Sequence, residues 1–116
     1  MTSLIAVDIG NTNITIGAFN DDELTATWRL ATRETRTVDE HAWALRGVLR
    51  SKGVEPASFD AAVICSVVPP MTEAYVEALL AQTKVTPLVI GPGVRTGIRI
   101  HYDRTQDVGA DRIVDA

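Results

Sequence analysis

The first seventeen residues constrain the fold more than any other stretch of the chain. An apolar run, Leu4-Ile5-Ala6-Val7, ends on Asp8, turns through Ile9-Gly10-Asn11-Thr12-Asn13, and leads at once into a second apolar stretch from Ile14 to Gly17. Two such runs parted by a small polar turn predict adjoining strands with an aspartate at the end of the first. A strand-end carboxylate followed by backbone N–H groups, a hydroxyl and amide side chains is also what a nucleotide's phosphates and metal ion require. Taken alone, the same residues equally suit a hairpin turn whose Asn and Gly satisfy turn geometry.

Asp8 could hold Mg²⁺ directly or through water, because that cation keeps several waters and needs one or two carboxylates plus phosphate oxygens. Gly10, with no side chain, lets the backbone approach phosphate closely. Asn11 and Thr12 add side-chain donors.

The strands continue beyond that turn. After Leu4–Asp8 and Ile14–Phe19, a third strand is predicted over Leu24–Leu30, where Leu24, Ala26, Trp28 and Leu30 alternate with threonines and an arginine. Asn20-Asp21-Asp22 supplies the hairpin turn before it. The period then changes: Thr37 with Glu40 reads as a capping box, and Val38, Ala42, Leu45, Val48 and Leu49 share one helical face that Gly53 ends. Ala61–Val68 reads as a strand buried on both faces and stopped by Pro69-Pro70. A second helix, about Thr72 to Gln82, turns Tyr75, Val76, Leu79 and Leu80 to the core, and Pro87–Ile90 supplies a fifth strand. The order is βββαβαβ, an α/β mixed sheet whose fourth and fifth strands run parallel to the first. Ligands of such sheets gather at the carboxyl ends of the parallel strands, where Asp8 lies.

Beyond Ile90 come Gly91-Pro92-Gly93, a short Ile98-Arg99-Ile100 strand, and a polar loop leading to Gly109-Ala110-Asp111-Arg112. The final Ile113-Val114-Asp115-Ala116 reads as a helix's first turn without a stop, so the chain is expected to end inside a larger fold. Asp111 at a helix start could take a proton from a hydroxyl nucleophile, and Arg112 could pair with an anionic group. An ordinary helix N-terminus favours Asp as well.

At 116 residues the chain fits one domain, with 46% apolar and 22% charged residues. The net charge of −4 offers no general attraction to nucleic acid or to an anionic membrane. Arg29, Arg33, Arg36, Arg46 and Arg50 sit among Glu34, Asp39 and Glu40, a solvated mixed-charge face. The single cysteine, Cys65, lies in an apolar run as a buried thiol and fits a reducing compartment. No apolar run reaches the length of a membrane span and no basic leader opens the chain, so the cytoplasm is expected. His41 and His101 lack metal-site spacing and are expected at the surface. A two-metal nuclease would need a second acid near the end of the fourth strand, which reads Ile64-Cys65-Ser66-Val67.

Several motifs in one order carry a resemblance over essentially the entire chain. Asp8-Ile9-Gly10-Asn11-Thr12-Asn13, Gly17, Trp28-Arg29, Ser66-Val67-Val68-Pro69-Pro70, Leu88-Val89-Ile90-Gly91-Pro92-Gly93, Thr96-Gly97-Ile98 and Val108-Gly109-Ala110-Asp111-Arg112-Ile113 resemble type III pantothenate kinases. That resemblance implies a ribonuclease-H-like domain, residues 1–116, as the first half of a duplicated actin-like ATPase fold. It implies phosphorylation of pantothenate by ATP at the 4′-hydroxyl, the first step of coenzyme A biosynthesis, with Mg²⁺ and a monovalent cation, K⁺ or NH₄⁺. By position, Asp8, Ile9, Gly10, Asn11, Thr12, Asn13, Ile14 and Thr15 would form the ATP phosphate loop. Tyr102, Gly109, Ala110, Asp111 and Arg112 would bind pantothenate, with Asp111 as proton acceptor.

The chain departs from the family where Arg104-Thr105 replaces a usual Asn-Pro. The family's second half is also absent, with its further Asp-x-Gly-Thr motif, its monovalent-cation aspartate and most contacts of its homodimer. Residues 1–116 alone are therefore expected to be inactive. Two alternatives come with the pattern: a non-catalytic regulator similar to the Bvg accessory factor, and a kinase of another small hydroxylated substrate. Neither a nucleic acid nor a membrane is expected as partner.

Overall fold

Residues 2–90, described by a computed structural model, open with three antiparallel strands: β1 Ser3–Ile9, β2 Asn13–Asn20 and β3 Glu23–Ala31. Helix α1 Val38–Ser51, a single 3₁₀ turn Pro56–Ser58, strand β4 Ala61–Ser66, helix α2 Pro69–Thr83 and strand β5 Leu88–Ile90 follow. The sheet order is β3-β2-β1-β4-β5, with β4 parallel to β1 and β5 parallel to β4. The α/β mixed sheet and the βββαβαβ order are as the residue pattern predicts. The expected Ile98-Arg99-Ile100 strand and the helix start at Ile113 lie outside the described residues.

Strand alternation divides the core between two faces. Ile5, Val7 and Ile9 of β1, Ile14, Ile16 and Ala18 of β2, and Ala62 and Ile64 of β4 pack with Leu45 and Leu49 of α1 and Met71, Tyr75 and Leu79 of α2. On the opposite face, Ala6, Phe19 and Val63 form a smaller cluster, joined by the partly buried Leu4, Leu24 and Ile90. Strand β4 is thus buried on both faces, and Cys65 is buried with it.

Leu24 departs from the expected alternation. Ala18 pairs with Ala26 but Phe19 pairs with Leu24, so Thr25 is an extra residue in β3. Its hydroxyl donates to the Ala18 carbonyl at 3.0 Å. Such a bulge reverses the facing of the residues before it, which sends Leu24 to Phe19 while Ala26, Trp28 and Leu30 stay with the helices.

Helix α1 carries the predicted caps at both ends. Thr37 Oγ1 accepts the Glu40 N–H at 3.2 Å, and the Glu40 carboxylate accepts the Thr37 N–H at 2.8 Å. At the other end Gly53 takes φ 75°, its N–H donates to the Arg50 carbonyl, and the Val54 N–H reaches Leu49. His41, expected at the surface, is instead buried against Tyr75 with ring centroids 5.0 Å apart. The helical stripe of α1 is one residue wider than its aliphatic members suggest, and an imidazole facing a phenol ring fills the added position.

Helix α2 begins at Pro69, so Pro69-Pro70 forms its first turn instead of a gap before it. Proline suits this place because the N–H it lacks has no partner in a helix's first turn. The earlier start brings Met71 into the core beside Tyr75, Ala78 and Leu79. Leu80, expected inside, is 44% exposed, whereas Val76 is partly buried against the core. Lys84 ends the helix in the left-handed region at φ 65°. Among the described residues no helix is long and apolar enough to cross a membrane.

Candidate functional site

Parallel pairing of β1 with β4 brings their carboxyl ends to one edge of the sheet, and Asp8 lies there. Alternation places it with Ala6, on the face away from α1 and α2. Asp8 stands opposite Thr15 on β2 and Cys65 on β4, while Thr15 stands opposite Arg29 on β3 and Cys65 opposite Ile90 on β5. Carboxylate and hydroxyl are therefore direct cross-strand neighbours, whose Cβ atoms such a pairing holds about 5 Å apart. Both residues are buried, Asp8 at 5% and Thr15 at 6% exposure, in the middle of a row that crosses the whole sheet.

The turn after Asp8 is held by bonds within it and by bonds from Thr32. The Gly10 N–H donates to the Asn13 carbonyl at 2.8 Å. The Gly10 carbonyl takes the Thr32 hydroxyl at 2.7 Å, and the Thr12 carbonyl takes the Thr32 N–H at 3.0 Å. Asn13 Nδ2 reaches Thr12 Oγ1 at 3.3 Å. The N–H groups of Asn11 and Thr12 have no acceptor among the described residues, and both residues are exposed. Gly10 does not enter the left-handed region, which among the described residues holds Gly53, Asp21 and Lys84.

The carboxyl end of β4 lies beside that of β1. The Val67 N–H extends the β1/β4 ladder to the Ile9 carbonyl at 3.1 Å. The Ser66 hydroxyl accepts the Val68 N–H at 3.0 Å, and α2 starts immediately after it. No acid stands at this end of β4, and no group of three or more His, Cys, Asp or Glu suited to a metal ion occurs among the described residues. A dedicated protein cage for a cation is thus absent from them. The donor set of one buried strand-end carboxylate fits Mg²⁺, which takes most of its ligands from water and phosphate.

Of the predicted phosphate loop, Asp8, Gly10, Asn11, Thr12, Asn13 and Thr15 gather at this edge. Ile9 and Ile14 point into the helix-side core, so only their backbone belongs to it. Tyr102, Gly109, Ala110, Asp111 and Arg112 lie outside the described residues. Thr32 is the functional candidate that sequence reading missed. Its only signal is its position just past the third strand, and its contact with the turn requires the register that pairs Asn13 with Ala31.

Residues 4–116 match the family model described as type III pantothenate kinase. A type III pantothenate kinase from Dehalococcoides mccartyi is 43% identical over 113 residues, covering 97% of this chain and 43% of that relative. The chain thus spans less than half the length of that curated relative. Among solved structures, a ROK hexokinase from Thermus thermophilus superposes with a TM-score of 0.64 at 15% identity, over 87% of this chain and 39% of that one. RuvC from Thermus thermophilus, solved with a Holliday junction substrate, gives 0.58 at 14% identity, over 94% and 81%. At such identities the two structures speak for a shared fold alone.

Proposed function

The chain belongs to the type III pantothenate kinase family, and on that premise we propose that the enzyme carrying it transfers the γ-phosphoryl group of ATP to the 4′-hydroxyl of pantothenate, opening coenzyme A biosynthesis. The observation that carries this reading is Asp8, buried at the carboxyl end of β1 beside the exposed Asn11 and Thr12 N–H groups. Phosphoryl transfer asks mainly for positioning and charge neutralisation, which outward N–H groups and a metal-binding carboxylate supply.

In this reading the backbone of residues 8–15 and the side chains of Asn11, Thr12 and Thr15 receive the phosphates of ATP. Asp8 would hold Mg²⁺, which would neutralise phosphate charge when bound. Gly109, Ala110, Arg112 and Tyr102 hold pantothenate, and Asp111 accepts the 4′-hydroxyl proton as the new P–O bond forms and the bond to the β-phosphate oxygen breaks. A monovalent cation, K⁺ or NH₄⁺, a homodimer and a cytoplasmic location belong to the same reading. So does the assignment of residues 1–116 as the first of two ribonuclease-H-like halves.

The test is product formation by the full encoded chain with ATP, Mg²⁺, K⁺ and pantothenate, with sugars and acetate as competing acceptors. The reading expects 4′-phosphopantothenate as the preferred product, and loss of turnover with retained fold in Asp111→Asn. Preference for another acceptor, or an Asp111→Asn variant as active as the parent, overturns it.

A further inference from the structure

We propose that Thr32 is a positioning residue that aims the N–H groups of the β1–β2 turn at phosphate, a role that rests on reading this turn as the phosphate loop. Thr32 lies just beyond β3, twenty-two residues from Gly10, yet it holds two of the turn's carbonyls. Its hydroxyl binds the Gly10 carbonyl at 2.7 Å and its N–H binds the Thr12 carbonyl at 3.0 Å.

Peptide geometry converts those two bonds into an orientation. Every peptide bond among the described residues is trans, so the carbonyl of one residue and the N–H of the next point in opposite directions. Drawing the Gly10 carbonyl to Thr32 turns the Asn11 N–H away from Thr32, and drawing the Thr12 carbonyl there turns the Asn13 N–H away as well. The bond that commonly closes a two-residue turn, from the Asn13 N–H to the Gly10 carbonyl, is not made. The hydroxyl of Thr32 takes its place.

The same bonds remove an electrostatic obstacle. Carbonyl oxygens facing a polyphosphate would repel it, and here two of them are occupied by donors on the far side of the turn. A loop held this way before ligand arrives loses less ordering entropy on binding. Thr32 itself touches no phosphate in this scheme and acts only through the turn.

The experiment compares Thr32→Val and Thr32→Ser in the full encoded chain by calorimetric titration with ATP and Mg²⁺, by steady-state kinetics and by thermal unfolding. Thr32→Val keeps the shape and removes the hydroxyl. It is expected to raise the Kd and KM for ATP roughly 2- to 10-fold, the range of one hydrogen bond, with KM for pantothenate and Tm close to the parent. Thr32→Ser is expected to restore ATP affinity. Unchanged ATP affinity in Thr32→Val overturns the proposal, as does a Thr32→Ser variant no better than Thr32→Val or an equal rise in both KM values. If Thr32→Val does not fold, Thr32→Ala replaces it under the same criteria. A parent that binds ATP without phosphorylating pantothenate contradicts the proposed function while the Kd comparison still decides the role of Thr32. A parent that binds no ATP contradicts both.

Discussion

Asp8 and Thr15 face each other across β1 and β2, both buried, on the side of the sheet away from α1 and α2. A carboxylate in such a place costs several kcal/mol of lost hydration that its surroundings must offset. An apolar residue would fill the position at no such cost, as Val7 and Ile9 do on the other face. The fold thus holds a buried carboxylate and a buried hydroxyl at strand ends next to the turn through Gly10 to Asn13.

His41 makes stability depend on pH. Burial pushes the His41 imidazole below its usual value of 6.5, Arg36 acts the same way, and Glu40 opposes them. The facing Tyr75 phenol is raised by its own burial to about 12 and stays neutral throughout the relevant range. A folded state with a depressed histidine pKa binds fewer protons than the unfolded chain. Its contribution is complete above pH 6.5 and is lost as pH falls through the folded value. Urea unfolding should therefore show stability falling as pH is lowered below 6.5, a fall that His41→Phe reduces. An identical fall in His41→Phe would show that other groups carry it.

Thr37→Ala removes one half of the capping box of α1 and leaves the Glu40 N–H without its side-chain acceptor. The expected loss is about 1 kcal/mol in denaturant unfolding, and Thr37→Ser should recover most of it. A Thr37→Ala variant as stable as the parent would mean that tertiary packing alone holds this helix end.

A polypeptide limited to residues 1–116 should form no 4′-phosphopantothenate above background with ATP, pantothenate and K⁺ or NH₄⁺. The related kinase is more than twice as long, since the match covers 43% of it. Turnover by that segment at the rate of the full encoded chain would place the complete site within it.

Local signals made much of the fold legible. The Thr37/Glu40 pair and Gly53 predicted both ends of α1, because capping depends on residues three or four apart. The βββαβαβ order of elements along the chain followed from runs whose period and length are local properties. What escaped depended on pairing between distant segments. Leu24 changed face because Thr25 is inserted opposite Ala18, a fact of β2/β3 register with no mark in the alternation itself. His41 went inside because Tyr75, on another helix, offered it a ring to pack against. Thr32 was invisible for the same reason, since its hydroxyl meets Gly10 across a strand. The reading of the turn at Asp8 as a phosphate loop needs no such pairing, because its donors are contiguous in the sequence.

If Asp8 anchors the phosphate side of a pantothenate kinase, turnover depends on its carboxylate. The most direct measurement is the rate of 4′-phosphopantothenate formation by Asp8→Asn in the full encoded chain, with Tm recorded on the same preparation. A fall in kcat/KM for ATP of at least ~100-fold with the fold retained is expected, as when a charge-stabilising group is removed from a transferring phosphoryl. A folded Asp8→Asn enzyme that turns over at the parent's rate would contradict it.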